Sequence, residues 1–262
     1  MATKEGNFLR GTIGPISMRA SRGQQLVSQR PGKGGVKQTA DTKKAANTFG
    51  MASRLAGHIR RSFANWIEGL CDSDLVSRLN TVTLECLIPF RDAETRLFKF
   101  VGSSFRHLER LDFNIKSPLM KYLVFIPQVT YVDGIINVQS PEPDDLKRIR
   151  FPNKYAIGEL TVVVTQICLA EGKRMTKPHR QTLKIGANGM DRLNMDFPVL
   201  EGCLCIVAVF LRYYFNLGEC ISIINSRDFN PGGICGALII PGKYQDDDDL
   251  EWKTMNNLNF IQ

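Results

Sequence analysis

Cys203-Leu204-Cys205-Ile206-Val207-Ala208-Val209-Phe210-Leu211 is apolar at every position. Strand side chains alternate between two faces, so a strand over this run is apolar on both. The run continues to Phe215, thirteen residues broken by Arg212. That is too short to span a bilayer as a helix. Leu160 to Leu169 is nearly as apolar. In an antiparallel sheet one face normally meets water, so such strands need their outer face covered. The helices of the same chain or a neighbouring subunit are the two candidates.

Around this run the sequence is strand-like from Leu123 onward. The predicted strands are Leu123 to Val132, Ile135 to Val138, Glu159 to Leu169, Thr182 to Ile185, Cys203 to Phe215, Cys220 to Ile224 and Gly236 to Ile240. Asp133-Gly134 is a two-residue hairpin signal, and Pro141-Glu142-Pro143-Asp144-Asp145 reads as a loop. About seven strands with turns between them and no long helical pattern point to an antiparallel, Ig-like β-sandwich over 121–262.

The segment before it, 41–120, reads as helical. One helix is predicted from Asp41 to Ile67, capped by Thr39 or Asp41. Ala45, Phe49, Ala52, Ala56, Ile59, Phe63 and Ile67 share one side of it, with Lys43, Asn47, Arg54, His58 and Arg61 opposite. Gly50 and Gly57, costly inside a helix, suggest close approach by another backbone. A second helix is predicted from Asp74 to Leu87 and a third over Asp92 to Val101.

Residues 1–40 form a basic, Gly-rich arm. Strand-like pieces at Ile13 to Arg19 and Gln24 to Ser28 flank a turn at Ser21-Arg22-Gly23, and Arg30 to Gly35 is a cationic loop. The chain of 262 residues has 34 Lys+Arg, 26 Asp+Glu and a net charge of +8. Residues 1–62 hold twelve Lys/Arg against two acids, +10, and the rest of the chain is −2. Of 23 aromatic residues only Phe8 precedes Phe49. The fold class is therefore α+β, a basic arm and helices followed by the sandwich.

The order of Gly14-Pro15, Arg30-Pro31-Gly32-Lys33, Thr42-Lys43-Lys44, Phe49-Gly50, Ile59-Arg60, Asp112-Phe113-Asn114, Ser117-Pro118-Leu119, Phe210-Leu211-Arg212-Tyr213 and Ser226 to Pro231 resembles an uncharacterised family of Bacteroidota proteins, a domain of unknown function. The likeness covers most of the chain. It implies the two-part architecture and brings no catalytic residues.

No catalytic motif emerges. Gly32-Lys33 has Val27 and Gly34 where a P-loop needs Gly and a hydroxyl, and Gly-x-Ser-x-Gly is absent. His58, His107 and His179 are isolated, and Asp228 beside Arg227 reads as an ion pair or turn cap. No cofactor or metal is expected: paired Cys-x-x-Cys knuckles are missing, and the run at Asp246, Asp247, Asp248 and Asp249 with Glu251 lacks the alternating pattern of a calcium loop. That run reads as a solvated loop or a docking patch for something basic. Seven Cys without framework spacing and no apolar leader point to a reducing, cytoplasmic setting, with leaderless export as the other route.

Two uses of the arm follow. In the first, a non-enzymatic structural protein self-assembles, as a homo-oligomer or filament, through its arm and apolar sheet surface. In the second, Arg10, Arg19, Arg22, Arg30, Lys33 and Lys37 of the arm, with the helix stripe Lys43, Arg54 and Arg61, grip nucleic-acid phosphates without reading sequence.

Overall fold

The computed structural model describes residues 2–21, 23–30, 39–92, 94–95, 97–141, 149–153, 156–185, 192–216, 221–247, 249–256, 258 and 260. The chain divides into two compact units, 1–47 and 48–262.

The first unit opens with a four-stranded antiparallel meander: β1 (Ala2–Glu5), β2 (Phe8–Ile13), β3 (Ile16–Ser21) and β4 (Gln24–Gln29), paired in chain order. Ile13 to Arg19 is therefore not one strand. Gly14-Pro15 turns the chain, and Ile13 and Ile16 become cross-strand partners on either side of it. Gln25 ties three strands together. Its amide accepts from Leu9 N at 2.7 Å and donates to Leu9 O at 2.9 Å. After Arg30 the described chain resumes at Thr39, whose hydroxyl accepts from Thr42 N at the start of helix α1 (Ala40–Ser62). The division between units falls within α1, after Asn47.

The second unit contains the rest of α1, then α2 (Ala64–Ile67), α3 (Leu75–Leu87) and α4 (Leu119–Leu123). Ala52, Ala56 and Ile59 of α1 are buried, as the helical spacing predicts, and so is Leu55, whereas Ala45 and Phe49 are exposed. The helix does not run to Ile67. The Ser62 hydroxyl donates to His58 O at 3.3 Å, competing with the backbone ladder, and Phe63 leaves helical geometry at φ −104°, ψ 11°. Asp92 to Val101 is not helical either. Asp92 accepts from the N–H groups of Glu94 and Thr95, folding a turn that pairs Arg91 with Phe98.

The strands are β5 (Gln128–Val132), β6 (Ile135–Gln139), β7 (Ala156–Cys168), β8 (Lys173–Met175), β9 (His179–Ile185), β10 (Asn194–Pro198), β11 (Leu204–Asn216), β12 (Ile221–Ile223), β13 (Gly232–Ile239) and β14 (Trp252–Thr254). Asp133 and Gly134 both take positive φ, the two-residue turn their sequence predicts between β5 and β6. The strand expected from Leu123 to Val132 starts only at Gln128; Leu123 closes α4, Val124 ends it at φ 68°, and Pro127 precedes β5. All pairings are antiparallel. One sheet has the order β10-β6-β5. The other runs β12-β11-β7-β8-β14, with β13 also on β11 and β9 also on β7.

The larger sheet is covered on both faces by its own unit. Leu204, Ile206, Ala208 and Phe210 of β11, with Val163 and Ile167 of β7, share a core with Leu55, Ile59, Phe63, Leu75 and Leu79 of the helices. The alternate residues Cys205, Val207, Val209 and Leu211, with Leu160, Val162 and Val164, share a second core with Ile136, Val138, Met195 and Phe197 of the smaller sheet. The apolar-on-both-sides reading of 203–211 is thus met by helices on one face and a sheet on the other. Phe210 joins the layers. Its ring stacks on Trp66 at 5.6 Å and on Phe113 at 5.2 Å.

Candidate functional site

Cross-strand partners point to the same face of a sheet, so the registers of β1 to β4 sort their side chains. Leu9, Ile13, Ile16, Met18 and Val27 fall on one face, with Ala2 and Ala20, and Lys4, Gln25 and Gln29 on the outer strands share it. The other face carries Thr3, Glu5, Arg10, Thr12, Ser17, Arg19 and Ser28, with Phe8 and Leu26. The apolar face is open to solvent, with Ile13 54 % and Val27 61 % exposed. The sheet's outer strand is equally bare. Every residue of β4, Gln-Gln-Leu-Val-Ser-Gln, is exposed, and the strand has no charge, proline or bulge. Among the described residues such an edge has none of the usual guards against strand addition. These residues were not singled out by charge or motif. The signal is the alternation of Leu9, Gly11, Ile13 and Ile16, Met18, Ala20, legible once Gly14-Pro15 is taken as the turn.

The arm cations sit around this surface. Arg10 on β2 pairs with Glu5 at 3.0 Å, Arg19 projects from β3, and Arg30 N donates to Pro15 O at 2.6 Å. Arg22, Lys33 and Lys37 lie outside the described residues. On α1, Lys43, Arg54 and Arg61 are exposed. Arg54 Nε donates to Gly50 O at 3.1 Å, and Arg61 Nη1 lies 3.3 Å from His58 Nδ1. A Cβ on Gly50 or Gly57 would meet nothing nearer than the Arg54 or Arg61 guanidinium, at 3.9 and 3.8 Å. No other backbone approaches these glycines, contrary to the expectation drawn from their cost.

The acidic run engages lysines of its own unit. Asp246 pairs with Lys173 at 2.6 Å and accepts from the Tyr244 hydroxyl at 2.6 Å, and these bonds hold its carboxyl below the usual range. Glu251 pairs with Lys177 and is lowered by that bond. Asp247 accepts from Asp249 N at 3.0 Å, and Asp248 lies outside the described residues. Asp228 pairs with Lys116. Burial lowers His179, which opens β9. Among the described residues no three His, Cys, Asp or Glu side chains are grouped to hold a metal, and no helix is long and apolar enough to cross a membrane.

The chain matches no family model, no curated protein and no solved structure. The arrangement itself must therefore carry the functional reading. It offers an amphipathic sheet with an exposed face and an exposed edge strand in the first unit, and exposed cations along α1.

Proposed function

We propose that this is a non-enzymatic structural protein that self-assembles through its N-terminal sheet. The observation that carries the reading is the solvent-open apolar face of β1 to β4, formed by Leu9, Ile13, Ile16, Met18 and Val27. A sheet that is hydrophobic on one face gains stability by burying it against another layer, and a second copy presents the same surface. Pairing face to face is self-complementary and closes at two copies. Strand addition at β4 is a second, separate contact, and two such contacts on one chain propagate into a filament.

In this reading the second unit is the scaffold, its two facing antiparallel sheets an Ig-like sandwich with a helical layer added, and residues 1–40 are the arm. The apolar surface of the larger sheet is not the contact, because β7 and β11 are buried on both faces. Unpaired thiols at Cys71, Cys86, Cys168, Cys203, Cys205 and Cys235 support a reducing, cytoplasmic setting. Deleting residues 1–35 and measuring particle mass by sedimentation tests the proposal. Loss of the assembled species is expected, and an unchanged mass would sink it.

The second reading, sequence-tolerant nucleic-acid binding, is favoured by the exposed Lys43, Arg54 and Arg61 of α1 and the +10 charge of residues 1–62. Phosphate contacts make affinity fall steeply with salt. A flat dependence in a fluorescence titration would count against it.

A further inference from the structure

We infer that His58, Arg61, Arg174 and Lys253 form a binding site for a phosphate-class oxyanion, between α1 and the β8–β14 edge of the larger sheet. The inference does not depend on the assembly reading.

The sheet register supplies two of the cations. β14 pairs with β8 so that Lys253 lies directly opposite Arg174. Like charges directly opposite on one face repel, so the pair needs a compensating partner. On its other side Arg174 is opposite Ile167 of β7, a member of the helical core. Arg174 and Lys253 therefore stand on the face that the helices cover. There α1 supplies His58 and Arg61, three residues apart and so neighbours on the helix surface. The 3.3 Å approach of Arg61 Nη1 to His58 Nδ1 needs a neutral imidazole, because a guanidinium can only donate.

Among the described residues no acid is paired with this group. Burial, then Arg61, Arg174 and Lys253, depress His58 to about 4, and burial with Arg61 depresses Arg174; no carboxylate contributes to either shift. The neighbouring lysines, by contrast, are matched: Lys173 by Asp246 and Lys177 by Glu251. Arg174 is only 9 % exposed. One of its donors, Nη1, reaches Met175 O at 3.2 Å, while its buried Nε has no hydrogen-bond partner. A buried donor without an acceptor is costly and uncommon. A tetrahedral oxyanion answers both deficits. Its negative charge compensates the cations, and its several oxygens accept from a guanidinium fork, a lone Nε–H and an ammonium at once.

The chemistry is that of phosphate, whether free or in a nucleic-acid backbone, and two probes separate the sources. The full-length protein is titrated calorimetrically with inorganic phosphate at low chloride. It is also titrated by fluorescence anisotropy with an oligothymidylate of about twelve nucleotides. The variant is Arg61→Gln/Lys253→Gln, which changes two exposed side chains. Phosphate is expected to bind the wild type and to bind the variant at least about tenfold more weakly. The variant loses the Arg61–His58 hydrogen bond together with the repulsion, so its melting in chloride is measured alongside binding to show that it is folded. Oligonucleotide binding that phosphate competes away, and that the variant loses, supports the site with a phosphodiester as its ligand. Phosphate binding lost in the variant without oligonucleotide binding supports it with a free phosphate. Absence of phosphate binding to the wild type, or equal binding to both proteins, overturns it. The His58 imidazole gives an independent readout by NMR. Phosphate should raise its titration midpoint from about 4 relative to chloride at matched ionic strength, and an unmoved midpoint overturns the proposal.

Discussion

Gly57 sits inside a buried helix without using its lack of a side chain. A Cβ there would touch only the Arg61 guanidinium, at 3.8 Å, an ordinary contact. Glycine costs about 1 kcal/mol in a helix interior relative to alanine, so Gly57→Ala should stabilise the protein by about 0.5–1 kcal/mol. Thermal unfolding should show a rise of about 1–4 °C. Asp72 is the opposite case, a residue whose chemistry is fully engaged. Burial alone would raise its carboxyl. The N–H groups of Ile115 and Asp74 and the Arg78 guanidinium, 2.5 Å away, outweigh burial and hold it below its ordinary value. A carboxylate with a lowered pKa contributes stability above its unfolded value near 4, and loses it as pH falls through the lower folded value. Asp72→Asn should therefore cost roughly 2–3 kcal/mol at pH 7. The gap from wild type should shrink below about pH 4. Urea denaturation at pH 7 and pH 3 measures both.

At the scale of elements, β11 and the helices depend on one another through Phe210. Its ring stacks on Trp66 and Phe113 and tilts against Phe63, so it fastens the α1–α2 junction, α2 and the loop before α4 to the sheet. Phe210→Ala should cost about 3–5 kcal/mol. It should also change Trp66 fluorescence in the native state, while Trp252, edge-on to Tyr244, is unaffected. The elements legible in the sequence share a property with β11: their own residues determine them. The run 203–211 is apolar enough to demand cover on both faces, and Asp133-Gly134 dictates its turn. By contrast β8, Lys-Arg-Met, and β14, Trp-Lys-Thr, have three residues each and no strand pattern. They exist only because they pair with one another and β8 with β7. The cation group built on them was illegible for the same reason. Arg174 and Lys253 are brought together by register, and nothing near either one in sequence announces the other. The apolar face of β1 to β4 was hidden differently, by reading through the Gly14-Pro15 turn.

For the whole molecule, assembly and stability are expected to separate, because the sheet proposed to mediate contact belongs to one compact unit and the large core to the other. Two substitutions on the same strand exploit this. Val27 lies on the apolar face of β4, and Ser28, next to it, lies on the polar face. Val27→Lys adds a second charge to a face that already holds Lys4 on β1, and places it opposite Met18, where burying an unpaired ammonium opposes face-to-face contact. Ser28→Lys adds the same charge to the same strand but leaves the apolar face intact. Sedimentation should show Val27→Lys reduced to the unassembled mass, with Ser28→Lys retaining face-to-face pairs. A charge on an edge strand also discourages further strand addition, so Ser28→Lys should stop at two copies where the wild type continues. Both variants should keep the wild-type unfolding transition of the body, since neither residue contributes to the two buried cores. Equal masses for Val27→Lys and the wild type would remove the apolar face from the contact, and with it the proposed mode of assembly.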